Sequence, residues 1–409
     1  MPVLLLDEQI TKIAEKALSK YKLCDHCLGR LFAKVETNIT NKLRGEKIRK
    51  KLKKIKKTQI KNCELCMGLF NEIQLFVDLI SYSLMNYDFD TFLVGSKVDE
   101  DITFKENKLI NYIKTPFSEP IKTEINREIG KILEAKLGKE VNFERPTIMV
   151  IIDTSYNQVT LQIASLYIYG RYKKYSREIP QTKWLCKICR GKGCKKCNYS
   201  GKIYNKSVEE LIAKKILIET NGSDESFHGS GREDVDVLML GNGRPFVLEI
   251  INPKIRNINL KLLQDQINKE NKGIIEVSNL RFSDRKEIFR LKDAAFKKTY
   301  RIIMKCDKSL NIEKLKKVTQ ALRGLKIGQL TPSRVAHRRA DLVRERHVYK
   351  CNLESVDGTI AIFTLEAESG TYIKELVSGD NGRTKPSISD LINAPCKVME
   401  LDVIGIKGE

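Results

Sequence analysis

Eight of the eleven cysteines fall into four Cys-x-x-Cys pairs, and no other feature restricts the fold of this 409-residue chain as tightly. Each pair turns two thiols to one side of a short loop, and two pairs supply the four soft ligands of a tetrahedral site. Cys24-Asp25-His26-Cys27 and Cys63-Glu64-Leu65-Cys66 are separated by 35 residues, so an ion between them closes a small subdomain. Cys186, Cys189, Cys194 and Cys197 form a tighter set, with Gly191 and Gly193 easing the loop. Structural zinc is the expected occupant of both. A redox dithiol competes for the first set and an iron–sulfur cluster for the second. His26 reads as a bystander, and Cys306, Cys351 and Cys396 as small buried hydrophobes.

Charge narrows the partner. Lys and Arg total 74 against 52 for Asp and Glu, a formal net charge of +22, which points to an anionic partner, nucleic acid first. No 18-residue apolar run is present to span a bilayer, and the N-terminal segment lacks the basic region of a secretory signal, so a cytoplasmic protein is expected. The cations cluster. Ten lie between Lys42 and Lys57, five at Lys187, Arg190, Lys192, Lys195 and Lys196, and others in Ser333 to Arg344; Gly170 to Arg177 interleaves tyrosines.

Periodicity predicts helices over 8–22, Phe70–Met85, Thr123–Leu137, Ser207–Glu219, Ile258–Asn268 and Ile312–Leu322. Strands are expected at Thr147–Asp153, Val159–Tyr169, Phe296–Met304 and Ile360–Glu366. The most reactive-looking stretch is Gly229-Ser230-Gly231-Arg232-Glu233-Asp234, a flexible bend feeding the apolar run Val235–Leu240. Asp234 and Asp236 would share one strand face, and Gly241-Asn242-Gly243 would turn the chain into a second strand, Pro245–Ile251.

Gly231-Arg232-Glu233-Asp234 before a Val-rich strand resembles the signature of tRNA pseudouridine synthases. The run from Ser230 to Asn252-Pro253-Lys254 is most similar to the archaeal and eukaryotic branch that modifies two adjacent T-loop uridines. Lys298-Thr299-Tyr300 and Gly370-Thr371-Tyr372-Ile373-Lys374-Glu375 through Thr384 resemble two further motifs of that family, and the α+β pattern after Phe70 resembles the RNA-binding THUMP domain. The resemblance implies an α+β protein: a zinc-bearing subdomain over 1–69, a THUMP-like domain over 70–177, and a catalytic domain over 178–409 on a mixed, mostly antiparallel sheet.

It further implies an isomerase acting on uridines fifty-four and fifty-five of the tRNA T-arm, with Asp234 as the catalytic carboxylate, acting as nucleophile or base. Arg232 or Lys374 would keep it ionised, Tyr300 would stack on the base, and Tyr372 would line the site. Arg334, His337, Arg338 and Arg339 would grip the RNA. Apart from structural zinc no cofactor is implied, and a monomer is expected. Asp236 could exchange roles with Asp234. Two other classes compete: a metal-dependent nucleotidyltransferase, in which Asp234 and Asp236 would hold the ions, and a non-catalytic tRNA-binding chaperone.

Overall fold

The computed structural model describes residues 8–35, 38–52, 62–338 and 340–408, without the side chains of His337 and Arg338. Two compact units meet at Ala164 and Ser165 in sequence.

The first unit opens with α1 (Glu8–Lys20), α2 (Asp25–Arg30) and α3 (Asn41–Lys51). Ile10, Ala14 and Ala17 form the buried face of α1, as the period requires. Cys24 caps α2, its sulfur accepting the Cys27 N–H at 3.5 Å, so the first cysteine pair is folded around a helix start. The α2 and α3 backbones touch through Gly29 and Gly45, where an added Cβ would overlap a carbonyl oxygen. That approach buries part of the basic run. Arg44 and Arg49 are interior, Arg49 bonding the Asp25 carboxylate at 2.9 Å and the Leu23 carbonyl at 2.6 Å. These two cations serve the fold, and Lys53, Lys54, Lys56 and Lys57 lie outside the described residues.

There follow α4 (Ile73–Leu84), β1 (Thr91–Lys97), α5 (Glu100–Ile113), α6 (Ile121–Leu137), β2 (Glu140–Val141), β3 (Ile148–Asp153) and β4 (Gln158–Ile163). The strands form one sheet in the order β2-β1-β3-β4, parallel across β2-β1-β3 and antiparallel at β3-β4. The sequence reading finds α4 and α6 but misses α5. Its core face is Ile102, Glu106, Leu109 and Ile113, and Glu106 breaks the apolar period because it is buried against Arg30.

The second unit contains β5 (Leu166–Lys174), α7 (Val208–Thr220), β6 (Asp224–Gly229), β7 (Leu238–Ile251), α8 (Leu260–Glu270), β8 (Ile275–Ser283) and α9 (Arg285–Asp293). It continues with β9 (Lys297–Cys306), α10 (Ile312–Leu322), β10 (Leu325–Gln329), β11 (Arg344–Asp357), β12 (Ile360–Ala367), α11 (Ile373–Ser378), β13 (Thr384–Lys385), α12 (Ile388–Ile392) and β14 (Cys396–Lys407). One ten-stranded sheet runs β13-β10-β11-β12-β9-β14-β7-β5-β8, with β6 alongside β7. Only the β14-β7 pairing is parallel among its described strands, so the sheet is mixed and mostly antiparallel, as expected. Phe246, Leu248, Ile302, Met304, Phe363 and Leu365 are fully buried along its centre.

Two local expectations fail. The single strand read over Val159–Tyr169 breaks at Ala164 and Ser165 into β4 and β5, which belong to different sheets. Residues 166–174, read as the end of the THUMP-like domain, therefore pair with β7 and β8 of the large sheet. Gly241-Asn242-Gly243 does not end one strand and begin another either; β7 continues through it with a bulge, Gly241 and Gly243 at φ 58° and 72°. The glycines provide clearance for neighbouring strands: a Cβ at Gly241 would lie 1.9 Å from the Ile404 carbonyl oxygen, and one at Gly243 2.8 Å from that of Tyr172. The Asn242 amide then stands in for backbone, donating to the Ile406 carbonyl at 2.8 Å and accepting the Ile406 N–H at 3.1 Å.

Candidate active site

A cavity of about 470 Å³ opens over the centre of the large sheet. Its floor comes from β9 and β14. Alternation along β9 turns Lys298 and Tyr300 to the same face as Ile302 and Met304, and the two polar residues occupy the end of that row beneath the cavity. Leu401 and Val403 of β14 complete the floor, and Ser369 to Lys374 with Arg334 and Val335 form the opposite wall.

Asp234 stands on the rim. It lies in a turn ahead of β7 rather than on a strand, the Val237 N–H bonding the Asp234 carbonyl at 3.2 Å. Two cations flank its carboxylate: the Arg334 guanidinium at 3.2 Å and the Lys374 ammonium at 3.4 Å. Lys374 is in the first turn of α11, and its ammonium also contacts both Asp236 oxygens, at 3.0 and 2.8 Å. Burial alone would raise the Asp236 carboxyl, but the Lys374 bonds and charge prevail and hold it below the usual carboxylate range. A lysine thus bridges the two aspartates at the position a shared metal would need, which disfavours the two-metal transferase. Arg334 is itself anchored at 2.7 Å to Glu375, and although burial opposes its charge this partner keeps the guanidinium firmly protonated.

Beneath the turn lies a network the sequence did not reveal. Glu233 points inward to the Arg244 guanidinium at 2.8 Å and accepts the Tyr172 hydroxyl at 2.8 and 2.9 Å. Gln181 donates to that hydroxyl at 2.8 Å and to the Gly231 carbonyl at 3.0 Å. The buried Lys174 ammonium bonds the carbonyls of Val235 at 2.8 Å and Asp234 at 3.3 Å; desolvation pulls it down to about 8 against the pull of Glu233. The turn is held from below by residues of three segments, at 172–174, 181 and 244, which local motif reading does not connect.

Lys298 is the other unpredicted residue. It is only 7% exposed, and desolvation with the neighbouring Arg244 charge brings its amine down to about 7, Glu233 opposing. Tyr300 is buried and pushed up to about 12, so it is a neutral phenol. Its place beside Lys298 was open to inference from the Lys298-Thr299-Tyr300 spacing, since alternate strand residues share a face.

Arg232 also lines the cavity, yet its guanidinium stacks on the Trp184 ring at 5.1 Å instead of facing Asp234. The arginine beside the Asp234 carboxylate is Arg334, which reaches across from the wall. Tyr372 lines the cavity, its backbone fixed by Gln329 at 2.9 and 3.0 Å. Arg339 lies outside the described residues, and of His337 and Arg338 only the backbone turn is described.

Both cysteine sets assemble. Within each, the four sulfurs lie within 4.8 Å of one another. The separations of 3.8 Å for Cys24 and Cys66, and 3.7 to 3.9 Å in the second set, match the edge of about 3.8 Å of a tetrahedron with ~2.3 Å metal–sulfur bonds. Gly193, Cys194 and Gly201 donate backbone N–H groups to sulfurs of the second set at 3.2 to 3.3 Å. Each set can hold one metal ion; the spacing leaves no room for a multi-iron cluster.

Comparison with known proteins agrees with this architecture. The family described as Pus10, C-terminal matches residues 167–407, and the archaeal Pus10 THUMP domain matches residues 76–153. The chain is 44% identical to the tRNA pseudouridine synthase Pus10 of Methanocaldococcus jannaschii over 95% of its length and 93% of the relative's. It is 38% identical to that of Methanothrix thermoacetophila, over 94% and 92%, and 41% identical to that of Methanothermobacter marburgensis, over 94% and 95%. A THUMP domain followed by a synthase domain built on a mostly antiparallel sheet is the architecture found, and the chain belongs to the Pus10 family of tRNA pseudouridine synthases, which are isomerases.

Proposed function

We propose that this enzyme converts uridines fifty-four and fifty-five of the tRNA T-loop to pseudouridine, with Asp234 as the reacting carboxylate. The observation that carries the reading is Asp234 on the rim of a nucleoside-sized cavity between two cations, Arg334 at 3.2 Å and Lys374 at 3.4 Å. The reaction breaks the N-glycosidic bond, turns the uracil and rejoins it through carbon. A carboxylate performs the first step by attacking C1′ or by removing the proton of a glycal route, and the two cations stand beside this one. Tyr300 forms an apolar ring surface for the extruded base, and its phenol is a hydrogen-bond donor at neutral pH. Tyr372 lines the same cavity, and Arg334, His337, Arg338 and Arg339 grip the T-arm.

Both cysteine sets hold structural zinc in this reading, and no catalytic cofactor takes part. The enzyme acts as a cytoplasmic monomer; among the described residues no helix is long and apolar enough to cross a membrane. Pseudouridine mapping on unmodified tRNA transcripts, with no divalent cation or nucleotide added, tests the proposal. Wild type is expected to mark both uridines and a folded, tRNA-binding Asp234→Ala none. Absence of pseudouridine from both proteins overturns the function, and activity retained by the variant overturns the assignment of Asp234.

A further inference from the structure

The cysteine finger at 184–203 is joined to the cavity and carries charge that the fold itself does not use. Its stem is a short antiparallel pairing: Cys186 N–H to the Gly201 carbonyl at 2.7 Å, and Ile203 N–H to the Trp184 carbonyl at 2.8 Å. The start of α7 clamps this stem, Glu209 accepting the Lys183 N–H at 2.8 Å and Glu210 pairing with Lys202. Beyond the stem, Lys187, Arg190, Lys192, Lys195 and Lys196 are all at least partly exposed, and none has a carboxylate partner among the described residues. Lys183 and Lys202, at the stem, do have carboxylate partners. Tyr199 stands 70% exposed among the unpaired cations, held at φ 61° by the turn that follows Cys197.

Five unpaired cations on one small loop repel each other, and a solvated helix face is no explanation because the finger holds no α-helix. An anion chain relieves the repulsion, and an exposed ring offers a base a stacking surface. At the other end of the finger, Trp184 packs edge-on against Tyr204 at 5.4 Å and receives Arg232, a cavity-lining residue, on its face at 5.1 Å. The finger and the cavity are therefore joined through this one stacked pair.

We infer that the Cys186–Cys197 finger is a docking surface for the substrate RNA backbone, and that Trp184 is a positioning residue registering the docked finger to the cavity through Arg232. A metal on the four sulfurs fixes the loop that presents the cations, and four thiolates with three backbone N–H donors suit a zinc-like ion. The inference rests on RNA being the substrate.

The test is binding of an unmodified tRNA transcript as a function of salt. Replacing Lys187, Arg190, Lys192, Lys195 and Lys196 together by Ala should weaken binding at least about 10-fold near physiological salt, and lower the log–log salt slope by about 0.7 to 0.9 for each phosphate no longer neutralised. A charge-preserving set (Lys→Arg at four sites, Arg190→Lys) should keep the wild-type affinity and slope. Bound zinc, counted in each variant, reports whether the finger remains folded, and the pair Lys195→Ala with Lys196→Ala is the fallback if the full set loses metal. Wild-type affinity and slope in the Ala variants overturn the docking role. Trp184→Leu should lower kcat about 10-fold or more with tRNA affinity and zinc unchanged, and Trp184→Phe, which keeps a ring for Arg232, should restore it. Unchanged kcat in Trp184→Leu overturns the coupling. Failure of the wild type to form pseudouridine sinks the proposed reaction but leaves the affinity and slope measurements standing.

Discussion

Glu233 and Arg244 form an ion pair at 2.8 Å directly beneath the Asp234 turn, with both side chains almost fully buried. Asp234, the carboxylate proposed to react, is thus the half-exposed neighbour of an internal one. Glu233 is placed inward by the chain reversal at Gly231, where φ is 74° and an added Cβ would lie 2.8 Å from the Lys298 amine. Removing one partner of such a pair leaves an uncompensated buried charge, at a cost of about 3–5 kcal/mol. Glu233→Ala should therefore lower the denaturation midpoint strongly, while Asp234→Ala, on the surface, should leave it nearly unchanged. Equal stability of the two variants in urea would contradict this division.

Arg334 couples Asp234 to Glu375, at 3.2 and 2.7 Å. Its loss should affect rate far more than stability, because the Asp234 end of the bridge is half exposed. Arg334→Ala is expected to lower kcat by about 10²-fold, the scale of misplacing a reacting group. Glu375→Gln should show a smaller loss of the same kind, since it frees the guanidinium to swing away. Single-turnover pseudouridine formation distinguishes this from slower product release.

The wall was only partly legible in the sequence. Asp234, Lys374 and Tyr300 stand out because each sits in a short motif whose spacing survives folding. Arg334 was visible as one member of a cationic cluster, but a cluster does not say which member reaches inward. Glu233, Arg244, Tyr172 and Lys174 come from three separated segments, and nothing local marks them as partners. The misread hairpin has a similar cause. Gly241-Asn242-Gly243 has the composition of a turn, but strands remote in sequence press against it, and glycine there gives clearance. Long-range packing decides between the two uses of the same residues.

That reinterpretation is measurable at Asn242. An exposed turn asparagine would tolerate replacement with a change within about 0.5 kcal/mol. As the partner of both Ile406 backbone groups, Asn242 should be worth about 1–3 kcal/mol when replaced by Ala, because the N–H and carbonyl are left unpaired. Equilibrium unfolding of Asn242→Ala decides between them.

The two cysteine sets should differ in how readily a bound ion is stripped. Cys27, Cys63 and Cys66 are at most 4% exposed, whereas Cys189, Cys194 and Cys197 are accessible. A chelator should therefore remove one equivalent quickly, from the finger, and a second slowly, with loss of helical signal from the first unit. Cys63→Ser should eliminate the slow phase and Cys194→Ser the fast one. Simultaneous release of both ions from wild type would count against the assignment.

Lys298 gives the pH dependence a definite sign. Its amine is brought down to about 7 in the folded chain, below the ~10.4 of an unfolded lysine. Between these values the unfolded chain binds the extra proton, so this residue makes stability rise with pH from about 7 to ~10.4. Below pH 7 the buried ammonium carries its full penalty, on the order of 5 kcal/mol from the shift. Lys298→Met should accordingly stabilise the fold most at pH 6 and lose that advantage by pH 10, as followed by urea midpoints across the range. An anionic substrate in the cavity favours the protonated amine, so RNA binding by wild type above pH 7 should take up a proton that Lys298→Met does not. Calorimetry in buffers of different ionisation enthalpy measures that uptake, and equal proton counts for the two proteins would show that Lys298 does not face the bound RNA.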